Sequence, residues 1–108
     1  RELGAFLAAA RAPRKAWDLL LAGIPGDAAR SHLAAMFASD AAGGALDYAA
    51  WHRPAFDAAI AAVRAAPTAD ARTAAWRGVE RVLLDSLPAT WLFHARGVQG
   101  LSRRLRGV

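Results

Sequence analysis

The 108 residues contain no cysteine and a single lysine, Lys15. Without thiols the chain forms no disulfide, builds no thiolate zinc site and offers no cysteine nucleophile. Long apolar runs are also missing, and nothing approaches the roughly 20 residues needed to cross a bilayer. No charged-then-apolar leader with a small-residue cleavage site opens the sequence. The stretch "RELGAFLAAARAPRKAWDLLLAG" begins as though already inside a fold, and the expectation is a segment cut from a longer protein. Large apolar side chains are scarce as well. The apolar fraction of 56% is inflated by alanine, so the core must rest on four tryptophans, four phenylalanines and the branched aliphatics. A chain of this length hides roughly two-thirds of its unfolded surface. It reads as one domain, residues 1–108, or part of one.

What is present in excess is arginine, which carries nearly all of the net charge of +5. A basic balance can mark nucleic acid or an anionic membrane. Here the arginines are scattered singly except for "RRLR" at Arg103–Arg106, and single arginines on helix faces are ordinarily solvated charges or ion-pair partners. No nucleic-acid partner is expected.

The chemistry-bearing residues are sparse. His32, His52 and His94 lie far apart, and none forms an i, i+4 pair with another ligand type, so no metal site is expected. No phosphate-binding loop, dinucleotide fingerprint or nucleophile elbow occurs, and none of Ser31, Ser39, Ser86 and Ser102 sits in an activating context. No enzyme and no cofactor are read from the sequence.

The periodicities predict helix, strand, three helices, strand. Leu3–Ala12 reads as a short helix, with Leu3, Phe6, Leu7 and Ala10 on one side. "AWDLLLAGI", Ala16–Ile24, is a short apolar run between proline and glycine breaks, and its length favours a buried strand. Ser31 is placed to cap "HLAAMFASD", whose Leu33, Met36 and Phe37 share a face until Gly43 and Gly44 break it. Pro54 suits the first turn of the next helix, where Phe56, Ile60 and Val63 form the buried face. Asp57 falls near the positive end of that helix. Thr68 caps the longest helix, with Asp70 in its first turn, Trp76, Val79, Leu83 and Leu87 as its stripe, and Val82 beside them. Arg81 and Asp85 are spaced to pair across one turn, and Pro88 stops the helix. Thr90–Phe93 are strand formers, and Val98 and Leu101 continue the tendency. This is an α/β pattern with too few strands for a complete sheet. Unpaired strand edges would favour pairing with a second copy.

Asp27 stands out because it follows the first predicted strand and two glycines. In open α/β sheets ligands bind at the carboxyl ends of strands, and a carboxylate there can hold an ammonium or guanidinium group. A turn or helix-capping aspartate is the alternative, and spacing alone favours it.

Four stretches, in order, resemble the C-terminal part of a family 5 extracellular solute-binding protein, the oligopeptide- and dipeptide-binding kind that serves ABC importers. "AWDLLLAGIPGD" resembles the family's "yDl.l.gw.gD", and "LAAMFASD" its "l..lf.s". "DYAAWHRPAFDAAI" resembles "Ny..y.nP.fD.li". "DARTAAWRGVERVLLDSLPATWLFHARGVQGLSRRLRGV" resembles the closing helix and strand, with Arg72 where the family often has an arginine. The match covers most of residues 15–108.

The resemblance implies a type 2 periplasmic-binding-protein-like lobe, of which this chain would supply about four helices and two main strands. It implies framework roles for Pro54, Phe56, Asp57 and Pro88. Asp27 would fall where peptide-binding members hold the ligand's α-amino group, and Ile24 where many have a ligand-facing tryptophan. The chain departs from the pattern at Ile24, at Asp47 where asparagine is common, and at "AARSH" where Asp-Pro is usual. The implied function is non-catalytic binding of a peptide or another small solute for import, outside the cytoplasm, in the periplasm or at the cell surface with a lipid anchor. The implied partner is a membrane permease. Because such ligands are enclosed between two lobes, half a lobe alone is expected to bind weakly. Two other readings follow from the same residues. One is the ligand-sensing domain of a transcriptional regulator on the same fold. The other is a helical module using "RRLR" on anionic partners, with strongly salt-dependent binding.

Overall fold

The structure, a computed structural model, describes residues 2–23 and 29–92, the side chains of Ala29 and Ser31 excepted. The elements are helices α1 (Leu3–Arg11), α2 (Ala29–Phe37), α3 (Pro54–Ala65) and α4 (Ala69–Ser86), with a 3-10 turn at Ser39–Ala41 between α2 and α3. There is no strand among the described residues. The α/β expectation is therefore wrong here: these residues form an all-helical arrangement, not a lobe with two main strands.

The physical reason is pairing. Residues 16–23 are neither helix nor strand. A β-strand needs a neighbour to take its N–H and C=O groups, and no described segment supplies one. Leu19 and Leu21, two apart as on one strand face, are instead 89% and 75% exposed. The run length correctly argues against a helix, but it says nothing about a partner. Thr90, Trp91 and Leu92 are likewise not strand, and the rest of the second predicted strand lies outside the described residues.

The helices form largely where their periodicities place them. Arg53 has extended backbone, as the residue before a proline prefers, and Pro54 opens α3. Phe56, Ile60 and Val63 are all buried. Thr68 caps α4 by accepting the Ala71 N–H at 3.1 Å. Val79 and Leu83 are buried with Trp76 and Val82 beside them, but Leu87 is not part of the stripe. It ends the helix in the left-handed conformation (φ 43°), its N–H returning to the Leu83 carbonyl at 2.9 Å, and its side chain points to solvent.

α2 starts two residues before Ser31, so Ser31 lies inside the helix and is not its cap. α2 also stops well short of the two glycines. A continuing helix would send the Ser39 N–H to Ala35. The Asp57 carboxylate takes it at 2.9 Å, and the chain tightens into the 3-10 turn.

The core lies between α2, α3 and α4. Phe37, Trp51 and Phe56 meet pairwise edge-to-face, with ring centroids 5.7, 5.8 and 5.9 Å apart. Such pairs contribute about 0.5–1.5 kcal/mol each beyond simple burial. Met36, Ala38, Ile60, Val63, Val79 and Leu83 complete the cluster. α1 contributes nothing to it: Ala10 is its one buried residue.

Candidate functional site

Ile24 and Asp27, the ligand-binding residues expected from the sequence, lie outside the described residues, as does His94. The polar chemistry among the described residues gathers in the segment from Ala38 to Arg53, between the 3-10 turn and α3.

Asp47 is its centre and is 6% exposed. Oδ2 accepts the Gly43 N–H at 2.8 Å and Oδ1 the Ala50 N–H at 3.0 Å. Oδ2 also faces His52 Nε2 at 3.2 Å, the one ion pair among the described residues. Burial raises the Asp47 carboxyl, but hydrogen bonds from Gly43, His52 and Ala50 and the attraction of His52 outweigh it and hold the group below the usual carboxylate range.

The local sequence permits this curl. Gly43 has φ +74°, and a Cβ on Gly44 would stand 2.9 Å from the Ala41 carbonyl oxygen, so both positions require glycine. Ala50 is held at φ 48°, which is strained for a residue with a Cβ, and its N–H is fixed by Asp47.

His52 has a second contact. Its Nδ1 lies 3.4 Å from the carbonyl oxygen of Phe37, the last residue of α2. From the other side Lys15 Nζ donates to the Asp47 carbonyl at 3.0 Å and to the Ala10 carbonyl at 2.8 Å. Arg11 Nε donates to the Ala45 carbonyl at 3.2 Å, and Trp17 Nε1 to the Ala9 carbonyl at 3.2 Å. The only lysine of the chain thus ties the Ala10 carbonyl near the end of α1 to the Asp47 loop.

At the other end of the segment, Asp57 Oδ2 accepts the Ser39 hydroxyl at 2.6 Å while Oδ1 accepts its N–H. The Ser39 hydroxyl, then its N–H, hold the Asp57 carboxyl below its ordinary range. Asp57 thus anchors the 3-10 turn to the first turn of α3.

An aspartate beside a histidine resembles half of a catalytic triad. Here both ring nitrogens face acceptors, leaving none to take a proton from a hydroxyl, so the pair reads as a latch on the loop. Among the described residues no group of three His, Asp or Glu side chains is placed to hold a metal. The hollow beside Asp57, lined by Ala38, Ser39, Asp40, Ile60 and Arg64, is about 260 Å³ and open to solvent. Drug-sized sites are larger and enclose most of the ligand. No described helix is long and apolar enough to cross a membrane. Arg72 is exposed, and Arg81 and Asp85 do not pair.

Compared with protein-family models, curated proteins and solved structures, the chain shows no match to any of them.

Sequence reasoning does not bring Asp47, His52 and Lys15 together as a cluster. His52 lacks an i, i+4 partner, but that is a helical criterion, whereas this pair is made across an irregular loop. The available signal was Asp47 three residues before Ala50 and four after Gly43, the arrangement of an aspartate folding its own backbone.

Proposed function

We propose that this chain is part of a non-catalytic, extracytoplasmic solute-binding protein of an ABC importer, taking peptides or another small solute. The observation that carries the reading is the Ser39–Asp57 pair. These residues come from two separate stretches of the family-like pattern, "LAAMFASD" and "DYAAWHRPAFDAAI", and their contact gives a physical cause for both being present at that separation. Pro54 and Phe56, from the same pattern, start α3 and fill the core as framework residues do. Asp47, standing where asparagine is common, holds its loop through carboxylate oxygens, and an asparagine could accept one of the same N–H groups. The exposed Leu19 and Leu21 fit a chain whose apolar run packs against further protein in the complete receptor.

On this reading Asp27 recognises a cationic group of the solute and Ile24 lines the same site. The test is import. Deleting the coding region from its host should abolish uptake of one class among labelled peptides and other small solutes. The intact gene should restore it, and Asp27→Ala should not. Unchanged uptake of every class overturns the proposal. Normal uptake with altered transcription of a transport operon would point instead to a sensor domain.

A further inference from the structure

The final carbonyls of a helix lack intrahelical partners. In α1 those of Ala9 and Ala10 are taken by residues just beyond the helix. Trp17 Nε1 donates to Ala9 at 3.2 Å, and Lys15 Nζ donates to Ala10 at 2.8 Å. α1 and residues 12–17 therefore close on themselves as one unit. Among the described residues, two hydrogen bonds carry that unit onto the rest of the chain. One runs from Arg11 Nε to the Ala45 carbonyl at 3.2 Å, the other from Lys15 Nζ to the Asp47 carbonyl at 3.0 Å. No residue of α1 joins the apolar cluster, and α1 packs along no other described helix.

The docking site stands without α1. The Asp47 carboxylate curls its own loop by accepting the Gly43 and Ala50 N–H groups. Leu46, between the two acceptor carbonyls, packs against the apolar cluster.

We infer that residues 2–17 form a clasp on the Asp47 loop, one that opens and closes while α2, α3 and α4 stay folded. Lys15 closes it, because its one ammonium group holds both the end of α1 and the loop. The argument rests on relative size. Each hydrogen bond contributes a small part of a domain's stability, whereas the core is held by a whole cluster of apolar side chains. Once released, α1 has only 9 residues, too few to stay helical alone in water. Opening therefore melts α1 and brings Phe6, Leu7 and Ala10, shielded in the closed form, into solvent. The segment unfolds at a lower free energy than the domain as a whole.

Amide hydrogen exchange of the 108-residue chain at fixed pH tests the clasp, because it reads the opening of each helix separately. Ile60 lies in the apolar cluster. Ile60→Val should lower the protection of the slowest α3 and α4 amides about three- to tenfold and leave α1 unchanged. Lys15→Met keeps the apolar stem and removes the ammonium group, and should lower the protection of α1 about tenfold. Equal losses in α1, α3 and α4 on Ile60→Val would mean that the chain opens as one unit, which overturns the proposal. So would α1 protection that Lys15→Met leaves unchanged. Should a variant not fold, the wild type in urea below its unfolding transition decides. Exchange in α1 that barely responds to urea, beside steeply accelerating exchange in α3 and α4, supports the clasp. A common dependence in all three helices refutes it.

Discussion

Residues 2–23 and residues 29–92 of one chain are held by different forces. In the second region α2, α3 and α4 share an apolar cluster around Phe37, Trp51 and Phe56. In the first, α1 shares none of that cluster, and the observed ties run through Arg11, Lys15 and Trp17 to backbone carbonyls. Apolar packing is non-directional and grows with the area removed from water, whereas a typical hydrogen bond contributes a net of only about 0.5–1.5 kcal/mol. The comparison teaches that helix content is a poor guide to stability. α1 and α2 are equally long, at 9 residues each, but only α2 has buried aromatic neighbours.

The sharpest way to break this contrast is to remove its centre. Phe56 is fully buried and touches both other aromatics of the trio. Phe56→Ala should cost about 3–5 kcal/mol, enough to abolish a cooperative melt in so small a core. Circular dichroism on heating gives the answer. A melt within a few degrees of wild type would show that the aromatic cluster is not what holds the second region.

Asp47 comes next, because it organises the loop that the first region leans on. Asp47→Ala removes the acceptor of the Gly43 and Ala50 N–H groups and should cost about 1–2 kcal/mol by urea denaturation. The effect carries a pH signature. The folded Asp47 carboxyl titrates below its ordinary value, so its contribution is present above the unfolded carboxylate range. It disappears as the pH falls through the folded value. The gap between wild type and variant should therefore be widest near neutrality and shrink towards strong acid.

Much of the second region could be read from residue order. Pro54, Phe56, Ile60, Val63, Thr68, Val79 and Leu83 behave as a 3.6-residue period and capping chemistry require, because those signals are local. In both regions sequence reasoning fails where the outcome depends on something not local. Residues 16–23 have the composition of a strand, but a strand exists only with a neighbour to pair with. Ser31 has the chemistry of a cap, but α2 starts earlier. The latch is invisible for a related reason: Asp47, His52 and Phe37 are neighbours only because Asp57 captures Ser39 and Gly43 allows the chain to turn back.

Two smaller changes probe the ends of α4. Thr68→Ala removes the side chain that accepts the Ala71 N–H and should destabilise by about 1 kcal/mol. Leu87→Gly should stabilise by about 0.5–1 kcal/mol, because glycine adopts the left-handed backbone without strain and the leucine side chain is mostly in solvent. Denaturant midpoints at an unchanged slope would report both. A loss of stability in Leu87→Gly would mean that its side chain is buried by a contact in solution.

The smallest expected effect is the most discriminating for the first region. Leu19 is almost wholly in solvent, so Leu19→Ser should change stability by no more than about 0.5 kcal/mol, although the same substitution at a core leucine would cost several times more. The measurement is a urea titration of the 108-residue chain beside Leu83→Ser, where Leu83 is buried in the cluster. A large loss at Leu83 with none at Leu19 would establish that the apolar run contributes nothing to this chain's own core. Its leucines would then remain available for packing against other surfaces. Comparable losses at both would mean that residues 16–23 are packed in solution, and the two regions would no longer differ in kind.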